Sequence, residues 1–187
     1  SRLPWPPALP LPLPPALPLA PPLTGLAALS APPASCPPSA TAPAPPPCPR
    51  VATVADAGRL TRFVGGGRDV TDVNFEAEIQ QLRSGCVYRE REIVISMVVP
   101  IVVAIGPANQ DGGARFNYFI AIARGDQILA RSSFDVAVPF EDNQTRVGYV
   151  DEQELTIPLQ GTELGNSYVV YVGFELTPAE MEFNRQQ

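Results

Sequence analysis

From Arg50 onward the apolar and polar positions alternate with a period of two. Phe75, Ala77 and Ile79 are spaced by Glu76 and Glu78 and flanked by Asn74 and Gln80, the pattern of a strand with one wet face. Residues 93–105 form a nearly unbroken β-branched run, interrupted by Ser96 and Pro100. The run is shorter than the roughly 20 residues a membrane span needs, and its Val and Ile content predicts a central strand, with Pro100 marking a bulge or a strand edge. After the turn-rich stretch 106–113, a strand is expected over 116–123, a tight hairpin at Gly125-Asp126, and a return strand starting at 128–131. The return continues through Phe134, Val136, Val138 and Phe140, which alternate with Asp135, Ala137 and Pro139. A turn at Glu141-Asp142-Asn143 precedes one or two strands over 146–159, and Gly165-Asn166 precedes a last strand over 168–176.

Turn signals spaced by about ten residues predict an all-β fold, an antiparallel immunoglobulin-like sandwich, and not an alternation of strands with helices. One helix signal closes the chain. Thr177-Pro178-Ala179-Glu180 is a capping box with proline at the first helical position, which predicts a helix over 178–185 docked by Met181 or Phe183. A further short helix is expected over 55–63, capped by Asp56 with Leu60 and Phe63 inward, after a strand over 51–55.

The first fifty residues follow neither period. They hold 19 of the 24 prolines and only two charges, Arg2 and Arg50, whereas 51–187 carries 11 Arg against 19 acidic residues. A Pro-Pro-Ala-Leu-Pro-Leu unit recurs at 6–11 and 14–19. Each interior proline costs a helix about 3 kcal/mol, so the stretch reads as extended polyproline II and not as a membrane span. Three readings suit it: a degenerate secretory signal, with Arg2 as its positive end; a disordered proline-rich spacer; and a ligand for an aromatic-grooved module.

Residues 29–36 resemble the end of a bacterial lipoprotein signal, in which small residues precede a cysteine that becomes lipidated and N-terminal. Ala34 and Ser35 match that pattern, while Pro33 stands where Leu is expected. The expected division is a proline-rich segment at 1–35, a stiff spacer at 36–47 beginning at lipidated Cys36, and a β-domain at 48–187. Such a spacer reaches about 35 Å in polyproline II form. An odd number of cysteines in an exported chain leaves one to be accounted for. Lipidation accounts for Cys36, and Cys48 and Cys86 are then free to form a disulfide worth about 4 kcal/mol, with Cys86 in the turn after the second strand. Three separate thiols in a reducing compartment are the alternative.

Several short stretches are shared with a wider group: Cys48-Pro49-Arg50-Val51-Ala52, Ala55-Asp56-Ala57, Arg59-Leu60-Thr61-Arg62-Phe63 and Asp69-Val70-Thr71-Asp72-Val73. Tyr118-Phe119, Phe134-Asp135-Val136, Val138-Pro139-Phe140 and Gly173-Phe174-Glu175-Leu176-Thr177-Pro178 with Glu180 continue the series. On these, residues 48–185 resemble a family of alphaproteobacterial envelope lipoproteins with a C-terminal β-sandwich domain. The resemblance implies an exported, lipid-anchored domain in the periplasm or at the outer membrane of a Gram-negative bacterium, and it implies no chemistry.

The composition narrows the chemistry further. The chain has no His and no Lys, so imidazole bases, His-ligated metals and Schiff-base lysines are excluded. An acidic chain without a basic patch is a poor ligand for nucleic acid. Glu76 and Glu78 would share a strand face about 7 Å apart, a spacing compatible with paired-carboxylate glycoside chemistry, although a solvated face is the simpler reading. Asp151, Glu152 and Glu154, or Asp69 with Asp72, are oxygen donors for calcium, and Tyr118, Tyr149, Tyr168 and Tyr171 could stack on sugars. Gly65-Gly66-Gly67-Arg68 lacks the partners of a phosphate loop, and Ser132 and Ser133 lack a nucleophile context. Asn143-Gln144-Thr145 matches a glycosylation acceptor. The expectation is a non-enzymatic accessory or structural subunit with no cofactor, contacting other envelope or membrane proteins. The alternative is a ligand-binding module for carbohydrate or calcium.

Overall fold

The computed structural model describes residues 44–141 and 143–187. The proline-rich segment 1–35, Cys36 and most of the spacer lie outside the described residues, as does Asp142 of the expected turn. The described part is mostly β-strand, in two sheets, with one short helix at its end.

The first sheet has the order β1-β9-β6-β7, formed by β1 (Arg50–Thr53), β6 (Gly113–Arg124), β7 (Gln127–Pro139) and β9 (Val169–Phe174). The second is built around β5 (Glu92–Ile105). On one side β5 pairs with β8 (Arg146–Pro158) along nearly its whole length. On the other side its two halves pair with β4 (Arg83–Tyr88) and β3 (Val73–Ile79), and β2 (Arg59–Phe63) extends the sheet beyond β3. The run 146–159 is thus a single strand, and Gly125-Asp126 is the hairpin turn between β6 and β7, with Gly125 at a positive φ of 57° that a side chain would strain.

The antiparallel expectation needs correction at one edge, because β1 pairs with β9 in parallel, Arg50 opposite Val169 through Thr53 opposite Val172. The helix expected over 55–63 is also absent: only Ala55–Ala57 make a 3-10 turn, and the rest is β2. Leu60 and Phe63 at a spacing of three suit a helix face, but pairing with β3 decides the matter. It buries Leu60 in the core and leaves Phe63 half-buried, past a break in the register between Arg62 and Phe63.

The core lies between the sheets. Ile93, Ile95, Met97, Val99, Ile101 and Val103 of β5 face Phe116, Tyr118 and Ile120 of β6 and Val170, Val172 and Phe174 of β9. Phe75 meets Phe116 across the layers at 6.2 Å, and Phe116 stands edge-on to Phe174 at 5.4 Å. Pro100 sits in mid-strand, at neither a bulge nor the end of the strand. Its carbonyl accepts from the Gln80 N–H at 2.8 Å, so its nitrogen points to the same side, where β3 has ended and β4 has not begun. The missing donor therefore costs no ladder bond with β8.

Helix α1 (Pro178–Arg185) forms where the capping box places it, with Thr177 N–H donating to Glu180 and Glu180 N–H donating to Thr177. Phe183 docks edge-on against Phe63 at 5.1 Å, and buried Glu180 pairs with Arg62 at 2.8 Å. The Asn184 amide donates to the carbonyls of Asp56 and Arg59, and Asp56, the expected cap of the absent helix, pairs with Arg185. The helix thereby covers the β2 edge of the second sheet. Cys48 and Cys86 are bonded, with a Cα separation of 5.7 Å. Cys86 lies within β4, not in a turn.

Candidate functional site

The outward face of the second sheet carries the most unusual surface. A strand buried on one side usually shows polar residues on the other, yet β5 is apolar on both. Its outward positions are Val94, Ser96, Val98, Pro100, Val102 and Ala104, and the last four are half-buried. Directly paired residues share a face, so the register writes this surface out row by row. Thr61, Glu76, Ala104 and Arg146 make one row, and Arg59, Glu78, Val102 and Gly148 the next. Beyond Pro100 and Val150 come Arg83, Val98 and Glu152, then Gly85, Ser96 and Glu154, then Val87, Val94 and Thr156.

The middle of the face is low and apolar and its flanks are charged. Two open hollows follow from this relief. One, of about 480 Å³, lies between the end of α1 and the row of Glu76 and Arg146. The other, of about 540 Å³, lies over Ser96 and Val98 between Arg83 and Glu152. Exposed Val87 and Val150 extend the apolar strip sideways. Period-two reading of residues 93–105 shows both apolar faces of β5, but only the pairing shows that one of them stays uncovered among the described residues.

Glu76 and Glu78 do fall on one face, as their spacing required. Glu78 is held by Arg59 at 3.0 Å, and both acids lie on an open, exposed surface. That is a charged wall and not a water-excluding acid pair. Asp151 does not join Glu152 and Glu154: it points inward and accepts from the Tyr118 hydroxyl at 2.6 Å, while the other two point outward. Asp69 and Asp72 serve their own turn, Asp69 N–H donating to the Asp72 carboxylate at 3.1 Å. The four tyrosines share no platform, since Tyr118 and Tyr168 are buried and Tyr171 faces outward on the other sheet. Ser132 and Ser133 are exposed on β7. Gly65-Gly66-Gly67 is a connecting loop after β2, and Arg68 lies 5.1 Å over the Phe63 ring. Asn143 is exposed in a turn with a positive φ of 65°.

Between the sheets, burial first and the hydrogen bond to Asp151 second push the Tyr118 hydroxyl far above the ordinary phenolic range. Tyr149 is raised by burial and by the same carboxylate, and Tyr168 by its bond to Glu163. The Glu163 carboxyl is lowered in turn, mainly by Tyr168 and the Gln160 N–H. Raised phenols keep their protons in the folded chain after the unfolded chain loses them at about pH 10, so stability falls as pH rises past that point. The chain has no lysine to confuse this range. In urea melts between pH 8 and 11.5, stability should decline above pH 10, and Tyr118→Phe should flatten the slope by up to about 1.4 kcal/mol per pH unit. An unchanged slope would contradict the placement of this hydroxyl.

Comparison of the chain with protein-family models, with curated proteins and with solved structures finds no match.

Proposed function

We propose that this chain is a non-enzymatic accessory or structural subunit of a bacterial envelope, exported, held at a membrane through lipid on Cys36, and docked to protein through the outward face of the second sheet. The observation that carries the reading is the apolar strip of β5, flanked by charges, on a face that solvent alone would keep polar. The Cys48–Cys86 bridge supports an oxidising compartment. Four crossings between the sheets, after β1, β5, β7 and β8, support the immunoglobulin-like form of the sandwich. Among the described residues the hollows over this face are open and Glu78 is already held by Arg59, a relief that suits a broad contact.

The test combines the anchor with the face. Mass spectrometry of the native protein should find a mature chain that begins at an acylated Cys36; an unmodified N-terminus upstream of it removes the anchor. Gentle detergent extraction should recover the parent chain in a stoichiometric assembly. Val98→Gln with Val102→Gln, which adds no charge beside Glu152 or Glu78, should release it as a single chain, with a melting curve showing that the variant stays folded. Assembly that survives both substitutions would exclude this face.

A further inference from the structure

Resting on the reading that this face docks a protein, we infer that the protein is a second copy of this chain, related by a two-fold axis lying along β5. Such an axis lays each row of one copy on the same row of the other with left and right exchanged. On the central strand, like meets like: Val98, Pro100, Val102 and Ala104 pack on themselves, which suits an apolar strip. At the flanks the exchange brings opposite charges together. Arg146 comes to face Glu76 of the second copy, and Glu152 comes to face Arg83, each twice in the dimer.

None of these four side chains has an ion pair among the described residues, whereas Glu78 already has Arg59. Of the other acids, Glu92 at the end of β5 comes to meet its own copy, but it already has Arg89 at 3.2 Å, and the two remaining acids that flank the strip meet no like charge. Glu78 comes to lie opposite Gly148, and Glu154 opposite Gly85, so each faces a residue with no side chain. Flanks that placed their acids at random would set some of them against each other.

The contact is modest. From Val94 to Ala104 β5 runs about 34 Å, and three strands span about 14 Å, which gives roughly 500 Å² on each copy. That is the low end for specific interfaces, so the dimer is reversible, with charge pairing setting its register.

Sedimentation of the disulfide-bonded full chain from about 1 to 500 µM should show a monomer–dimer equilibrium. Arg83→Glu alone and Glu152→Arg alone should each weaken it at least tenfold, because each sets like charges face to face twice. Mixed in equal amounts, the two variants should pair with each other at near-parental strength, each supplying the sign the other lacks. A parent that stays monomeric at the highest concentration overturns the inference, and so does a mixture no tighter than either variant alone. If the parent instead assembles with a different protein through the same face, this inference falls and the docking reading stands; if it assembles with nothing, both fall. Unchanged melting curves for both variants, whose side chains are exposed, show that lost pairing is not lost folding.

Discussion

A Cys48→Ala/Cys86→Ala variant is expected to melt about 10 °C or more below the parent chain. The bridge joins residues 38 apart, and freeing that loop returns about 4 kcal/mol of conformational entropy to the unfolded state. For a domain of this size each kcal/mol is worth roughly 3 °C. The loss is also directed. Cys48 leads into β1, and its neighbour Pro47 is otherwise held by the Tyr88 hydroxyl, which donates to its carbonyl at 2.6 Å while accepting from the Gly165 N–H at 2.6 Å. Without the bridge, this clamp and the short parallel ladder between β1 and β9 must hold the entry to the domain. Hydrogen exchange in the variant should therefore rise first at 50–53. Calorimetry of parent and variant checks the main effect; equal midpoints, with the parent's thiols shown to be oxidised, would mean that the bridge leaves the unfolded ensemble unconstrained.

Phe116→Ala should cost about 3 to 5 kcal/mol, the range for truncating a buried aromatic. Phe116 is 3% exposed and belongs to the first sheet, but it touches both layers, with Phe174 beside it and Phe75 across the core. Its removal opens a cavity where the sheets meet and loses two aromatic contacts together. Combined with Phe75→Ala in a double-mutant cycle, it should show a coupling of about 0.5 to 1.5 kcal/mol. Phe134→Ala is the control. Phe134 is half-buried on the edge strand β7 and stacks on Tyr118 at 4.9 Å, so its loss should cost clearly less. Urea denaturation gives all three values, and equal costs for Phe116 and Phe134 would place the centre of the core elsewhere.

Features written in local order were legible before any coordinates. The alternation of Phe75, Ala77 and Ile79, the run 93–105, the Gly125-Asp126 hairpin and the Thr177–Glu180 cap all depend on neighbours within a few residues, and each appears where expected. The Cys48–Cys86 pairing followed from a count, not from geometry, and the structure contains it. The failures share a different origin. Nothing in Val51 and Ala52 signals that β1 will lie parallel to a strand more than a hundred residues later, because a parallel partner leaves no turn between them. Residues 55–63 read as a helix because the partner that makes them a strand is outside the window. Residues 83–88, with Gly85 and two polar neighbours, carry no clear period at all, and they become β4 only because β5 offers them an unpaired edge below Pro100.

The candidate face divides along the same line. Composition alone removed His and Lys chemistry, and period two alone placed Glu76 beside Glu78, whereas the grouping of Asp151 with Glu152 and Glu154 as calcium donors failed because Asp151 turns inward to Tyr118. Which charges stand across β5 from one another was decided by the tertiary register. Parity along a strand is a covalent property of the chain, while adjacency between strands is set by backbone hydrogen bonds formed only after distant segments meet.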